Sequence, residues 1–80
     1  MSSISLFGAG SWGTALAVHL AESGRSVTLW ARRAEAVARM ERTGRNSAYL
    51  PDVSLPNDLT VTDDLEAAAG ASDLWGIAVP

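Results

Sequence analysis

The sequence predicts an α/β domain, the front portion of a doubly wound parallel sheet with four strands. Three observations carry that prediction. Short β-branched or apolar runs recur near residues 4–7, 26–30, 59–62 and 74–79, segments with helical character separate most of them, and three glycines crowd into six positions directly after the first run. Strands that alternate with helices build parallel sheets through right-handed crossovers.

Ile4 to Phe7 reads as a buried strand bounded by Gly8. From Ser11 to about Ser23 the pattern is helical, with Gly13, Leu16, Ala17 and Leu20 at i, i+3, i+4 and i+7 and Gly24 as the stop. Ser26 to Trp30 is β-branched and aromatic, a second strand. Ala34 to about Thr43 is a helix that buries Val37 and Met40, capped by Gly44. Arg45 to Asp58 holds two prolines and little periodicity, so it reads as a long irregular loop, a kind of segment that is often functional. Leu59 to Thr62 is a third strand. Asp63 and Glu66 then stand at capping-box spacing before a short alanine-rich helix that ends near Gly70. Leu74 to Val79 is a fourth strand, interrupted by Gly76, for which the sequence offers no reason. In the strand order 3-2-1-4 that fourth strand lies beside the first and expects a further partner. The chain therefore reads as the front part of a larger domain, its apolar fourth strand an open edge.

Composition narrows the function classes. At 48% apolar and 19% charged the chain is that of a soluble globular domain rather than a disordered one. No cysteine is present, which excludes disulfides, a thiolate metal site and a cysteine nucleophile, and suits a cytoplasmic protein. The start carries no basic residue and no long apolar run follows, against a signal peptide or a membrane span. A net charge of −3 argues against a nucleic-acid surface. All six cations are arginine, so lysine chemistry cannot come from these residues.

Gly8-x-Gly10-x-x-Gly13 follows a strand and opens a helix. In that setting Gly8 permits the tight turn, Gly10 lets the backbone approach a pyrophosphate, and Gly13 lets helix and strand pack closely. A pyrophosphate would sit at the helix N-terminus, where free N–H groups and the dipole favour an anion. This is the signature of a Rossmann-type dinucleotide fold; a purely structural turn is the alternative. At the end of the second strand, where many NAD sites place an acid for the ribose 2′-hydroxyl, the sequence reads Trp30-Ala31-Arg32-Arg33. Two guanidiniums suit a 2′-phosphate, so NADP is the preferred cofactor and NAD stays open.

FGAGSWGTALA, VTLWARR, NSAYLPDVSLP and the closing AVP together resemble the amino-terminal half of bacterial-type NAD(P)-dependent glycerol-3-phosphate dehydrogenases. The resemblance runs over essentially all 80 residues, and the loop with Asn46, Tyr49-Leu50-Pro51 and Leu55-Pro56 is its most specific part. It implies hydride exchange between NAD(P)H and dihydroxyacetone phosphate, a triose phosphate, giving sn-glycerol 3-phosphate for phospholipid synthesis. It further implies that Ser11 and Trp12 contact the cofactor beside the glycines, that Arg32 and Arg33 hold the adenosine end, and that Tyr49 helps close that region. Val79-Pro80 would end the fourth strand near the cofactor's middle. The family's catalytic lysines lie beyond these residues, the later one in a helical second domain, so no catalytic residue is expected in this chain. Trp75-Gly76 departs from the family, where two aliphatic residues are more usual.

Other candidates read as structural. His19 is a surface residue on the first helix, Asp63 and Asp64 are helix caps rather than metal ligands, and Arg25, Arg39, Arg42 and Arg45 form a solvated face with Glu22, Glu35 and Glu41. Trp12 could instead cover the helix against a loop, and Tyr49 could anchor its own loop. The remaining alternatives are a stand-alone nucleotide-binding module and another two-domain dehydrogenase, such as a ketopantoate reductase-like or 3-hydroxyacid enzyme. A homodimer is open to the intact protein; membrane insertion and nucleic-acid partners are not expected.

Overall fold

The computed structural model describes residues 3–46 and 50–77. Strand β1 (Ser3–Phe7) leads through the glycine turn into α1 (Ser11–Glu22), then β2 (Ser26–Trp30) and α2 (Ala34–Thr43). Two short strands follow, β3 (Arg45–Asn46) and β4 (Leu50–Ser54), then β5 (Leu59–Thr62), α3 (Leu65–Gly70) and β6 (Leu74–Ile77). The main sheet is parallel in the order β5-β2-β1-β6, the arrangement that the alternating pattern predicts. This is the amino-terminal portion of a Rossmann-type fold.

The register sorts side chains onto two unlike faces. Ile4, Leu6, Val27, Leu29, Leu59 and Val61 share one face and meet Ala17 and Ala21 of α1. Leu6 and Leu29 are fully buried there, each contributing about 1.5–3 kcal/mol by leaving water. Val37 and Met40 of α2 form a second cluster with Ala31, and Val61 packs against both clusters. The opposite face carries Ser5, Phe7, Thr28 and Trp30. Its cover is α3, to which Ser5 donates a 2.6 Å hydrogen bond at the Ala68 carbonyl.

Three expectations need correction. The buried strip of α1 is Gly13, Thr14, Ala17, Val18 and Ala21, rotated from the predicted one. Leu16 and Leu20 are only partly buried, because small residues let the helix axis come close to the strands. The cap of α3 is Asp64, whose carboxylate accepts from the Ala67 N–H at 3.0 Å. Asp63 instead offers its backbone carbonyl to the Trp30 indole N–H, also at 3.0 Å. The supposed irregular loop holds an antiparallel pair, Arg45 opposite Ser54 and Asn46 opposite Leu50, with a register shift between Arg45 and Asn46. Among the described residues β4 pairs with β3 alone, and an edge strand is where a proline such as Pro51 is tolerated.

Gly76 now has an explanation. It sits opposite Leu6, and a Cβ there would stand 2.6 Å from Leu6 Cδ2. The missing side chain is the room that a core leucine occupies. Beside it, Trp75 meets Phe7 edge-on at 6.0 Å between ring centres and donates its indole N–H to the Ala69 carbonyl. β6 is an edge of the described sheet, and Leu74, Trp75 and Ile77 are all more than half exposed.

Candidate functional site

The site is built at the carboxyl ends of the strands, where ligands of open α/β sheets bind. Backbone bonds tie these ends together. The Gly8 N–H donates to the Trp30 carbonyl at 3.1 Å and the Ala31 N–H to the Thr62 carbonyl at 2.9 Å. The start of the glycine turn and the ends of β2 and β5 are thus joined along one edge.

Each motif glycine meets a different demand. Gly8 has a φ of +122°, a conformation that side chains rarely adopt. Gly13 is buried on the sheet side of α1. Gly10 needs neither explanation: its φ of −74° and ψ of −175° are open to any residue. Chain neighbours aside, no atom of the described residues lies within 4 Å of where its Cβ would stand. Gly10 borders a cleft of about 440 Å³, and its bareness widens that cleft.

The cleft runs from Ala9 and Gly10 to Ala31, Arg32 and Arg33, with Glu35, Ala36 and Arg39 of α2 as its far wall. Gly10 caps α1 without a side-chain bond, and the first turn of α1 carries no acid. The first N–H groups of a helix have no partner within it, so this end presents donors and a partial positive charge. The guanidinium groups of Arg32, Arg33 and Arg39 have no hydrogen-bond or ion-pair partner among the described residues. One end of the cleft offers backbone donors and the other guanidiniums, the polarity an elongated molecule with two anionic centres requires.

The structure brings Gly10, Arg32 and Arg33 together around this cleft. Ser11 and Trp12 stand exposed on the first turn of α1, Trp12 with 67% of its surface free. That exposure leaves its ring available to a ligand rather than spent on the described core. Tyr49 and Val79-Pro80 lie outside the described residues. Sequence reasoning assigned Arg39 and Glu35 to a solvated face. Both are exposed, but they line the cleft beside Arg32 and Arg33. Their spacing of four puts them on one outward face of α2, and nothing in the sequence marks that face as bordering a cleft. His19 does not line this cleft.

A second cavity of about 560 Å³ opens on the α3 face, lined by Phe7, Gly8, Trp30, Leu65, Ala69, Trp75 and Ile77. It is apolar throughout and carries no group for acid–base work.

Comparison with known proteins agrees with this geometry. Residues 3–80 match the family described as NAD-dependent glycerol-3-phosphate dehydrogenase N-terminus. Two relatives from Salinibacter ruber, both named as NAD(P)+ glycerol-3-phosphate dehydrogenases, are 70% and 61% identical over 79 and 80 residues. Those spans are 99% and 100% of this chain but only 23% and 24% of the relatives. The crystal structure of glycerol-3-phosphate dehydrogenase from Coxiella burnetii superposes with a TM-score of 0.91 at 40% identity, over 99% of this chain and 24% of that one. The chain thus spans about a quarter of the length of the proteins it matches. With its glycine turn, strand order and sequence all in agreement, the chain belongs to the NAD-dependent glycerol-3-phosphate dehydrogenase N-terminus family.

Proposed function

We propose that these residues form the cofactor-binding part of an NAD(P)-dependent glycerol-3-phosphate dehydrogenase. The intact enzyme would reduce dihydroxyacetone phosphate to sn-glycerol 3-phosphate, supplying phospholipid synthesis in the cytoplasm. The single observation that carries the reading is Gly10, a glycine that neither its backbone angles nor its packing requires, facing an open cleft beside a helix N-terminus. When bound, the dinucleotide supplies the hydride.

The chain's own residues bind and orient. Gly10 and the first-turn N–H groups of α1 hold the pyrophosphate, with Ser11 and Trp12 beside it and Gly13 setting the helix against the sheet. Arg32 and Arg33 take the adenosine end, and Tyr49 helps close it, the role that the family resemblance assigns to it. A charge-assisted hydrogen bond is worth about 1.5–3 kcal/mol. One such bond to the 2′-phosphate would favour NADPH over NADH by roughly ten- to a hundredfold. The rest of the dinucleotide domain and a helical second domain with the catalytic lysines belong to the intact protein. The exposed edge of β6 and the fourfold greater length of the relatives support that division. The substrate is a triose phosphate, and a homodimer suits the intact protein.

Calorimetric titration of the intact protein with NADPH and NADH side by side tests the reading. Tighter NADPH binding that falls to the NADH level in Arg32→Ala or Arg33→Ala is the expected result. Equal binding of both cofactors would remove the NADP preference. Failure of the folded wild type to bind either would overturn the reading. The 80-residue chain alone is expected to reduce no dihydroxyacetone phosphate, and turnover by it would remove the need for a second domain.

A further inference from the structure

We infer that Asn46 is a positioning residue for the dinucleotide: its amide sets the orientation of the Ala9–Gly10 peptide and so aims the Gly10 N–H at the pyrophosphate. This rests on the cofactor reading above.

Asn46 is 6% exposed, and its side-chain nitrogen lies 2.8 Å from the Ala9 carbonyl and 2.8 Å from Thr14 Oγ1. A carbonyl only accepts, so the amide must present its NH2 group to Ala9. The two bonds bridge the turn before α1 to the helix's own first turns, 37 and 32 residues distant in sequence. No peptide bond among the described residues is cis. In a trans peptide the C=O and the following N–H point in opposite directions. Pinning the Ala9 carbonyl towards Asn46 therefore turns the Gly10 N–H away from Asn46. That N–H donates to nothing among the described residues.

The chain around Asn46 is itself held. Gly44 takes a φ of +70° at the end of α2, and its N–H donates to the Met40 carbonyl at 2.8 Å. The Leu55 N–H donates to the Gly44 carbonyl at 2.7 Å. The pairing of β3 with β4 then shifts register, from Ser54 opposite Arg45 to Leu50 opposite Asn46, so Asn46 stands at a break in the ladder. Without a side chain on Gly8 or Gly10 to steer it, the turn has few restraints of its own. An amide delivered from β3 supplies one.

The test uses the intact protein and titration with NADH and NADPH. Asn46→Ala should raise the dissociation constant of both about tenfold, with kcat at saturating cofactor changed less than twofold. Asn46→Asp, close in size but unable to donate when ionised, should lose at least as much. Leu59→Ala, a core truncation on β5, controls for lost stability: it should lower the melting temperature while leaving the dissociation constant within twofold. With glycine selectively labelled with nitrogen-15, the Gly10 amide resonance of the free protein should move in N46A, while those of Gly24 and Gly70 stay. Wild-type binding with an unchanged constant in N46A would overturn the inference and leave the cofactor reading standing. So would an equal loss of affinity in L59A, or a Gly10 resonance that does not move. No binding by the wild type would overturn both.

Discussion

Gly10→Ala should separate binding from stability. Its φ of −74° and ψ of −175° suit alanine, and the new methyl group would touch none of the described residues beyond its chain neighbours. Restricting the unfolded chain favours the alanine form by about 0.4–1 kcal/mol. Alanine is a poorer N-cap than glycine, which costs a comparable amount, about 0.5–1 kcal/mol. The two effects nearly cancel, so the folded state should change by no more than about 0.5 kcal/mol. Binding should not escape. A methyl group forced against a closely seated ligand costs about 1–3 kcal/mol, as in an overpacked core, which is roughly five- to 150-fold in affinity. Gly8→Ala is the counterpart. At a φ of +122° it should destabilise by about 1–3 kcal/mol. Thermal unfolding and cofactor titration of both variants in the intact protein make the comparison. Wild-type affinity in Gly10→Ala would refute the argument, because the open space would then have no occupant. So would a loss of stability matching that of Gly8→Ala, since Gly10 would then be a folding glycine.

Three further outcomes follow from the contacts. Gly76→Ala should lower stability by about 1–3 kcal/mol, because the new methyl group would force a fully buried Leu6 out of its position; an unchanged thermal midpoint would contradict this. Asp64→Ala should cost about 1 kcal/mol through loss of the bond to the Ala67 N–H, whereas Asp63→Ala should stay within about 0.5 kcal/mol of wild type; denaturant unfolding of the pair checks the order. Arg39→Ala should weaken NADPH binding about two- to fivefold more than NADH binding, a modest effect because the side chain is exposed. That difference should shrink as salt is raised, and an equal effect on both cofactors would place Arg39 away from the 2′-phosphate.

What was legible in the sequence was whatever local chemistry decides. Helix α2 ends at Gly44 as expected because a left-handed position there demands glycine. The strand order followed from alternation and handedness. What was hidden depends on partners far along the chain. Asp63 and Asp64 both suit a cap by spacing, and the choice lies with Trp30, whose indole holds the Asp63 carbonyl from 33 residues away. Gly76 makes sense only once Leu6 is known to face it. The β3–β4 pair is invisible to periodicity, since a two-residue strand has no period. Arg39 misled for a subtler reason. Helical spacing separates inward from outward positions, but it does not say which outward positions border a cleft.

The same division bears on how the site can be altered. Arg32, Arg33 and Arg39 lie at the surface, and their guanidinium groups have no partner among the described residues that truncation would strand. Substitution there should change which dinucleotide is preferred at little cost to folding. Asn46 and Thr14 are buried and share a hydrogen bond. Removing either leaves a polar atom without its partner, at a cost of about 1–3 kcal/mol. On the proposed reading the adenosine end is thus the variable end of the site. The pyrophosphate end would be committed, because Gly8, Asn46 and the backbone bond from Gly8 to Trp30 hold the turn that this reading places against it. A change of cofactor preference should therefore be reachable through the arginines alone, and a variant that rebuilt the glycine turn should need a compensating change in the core.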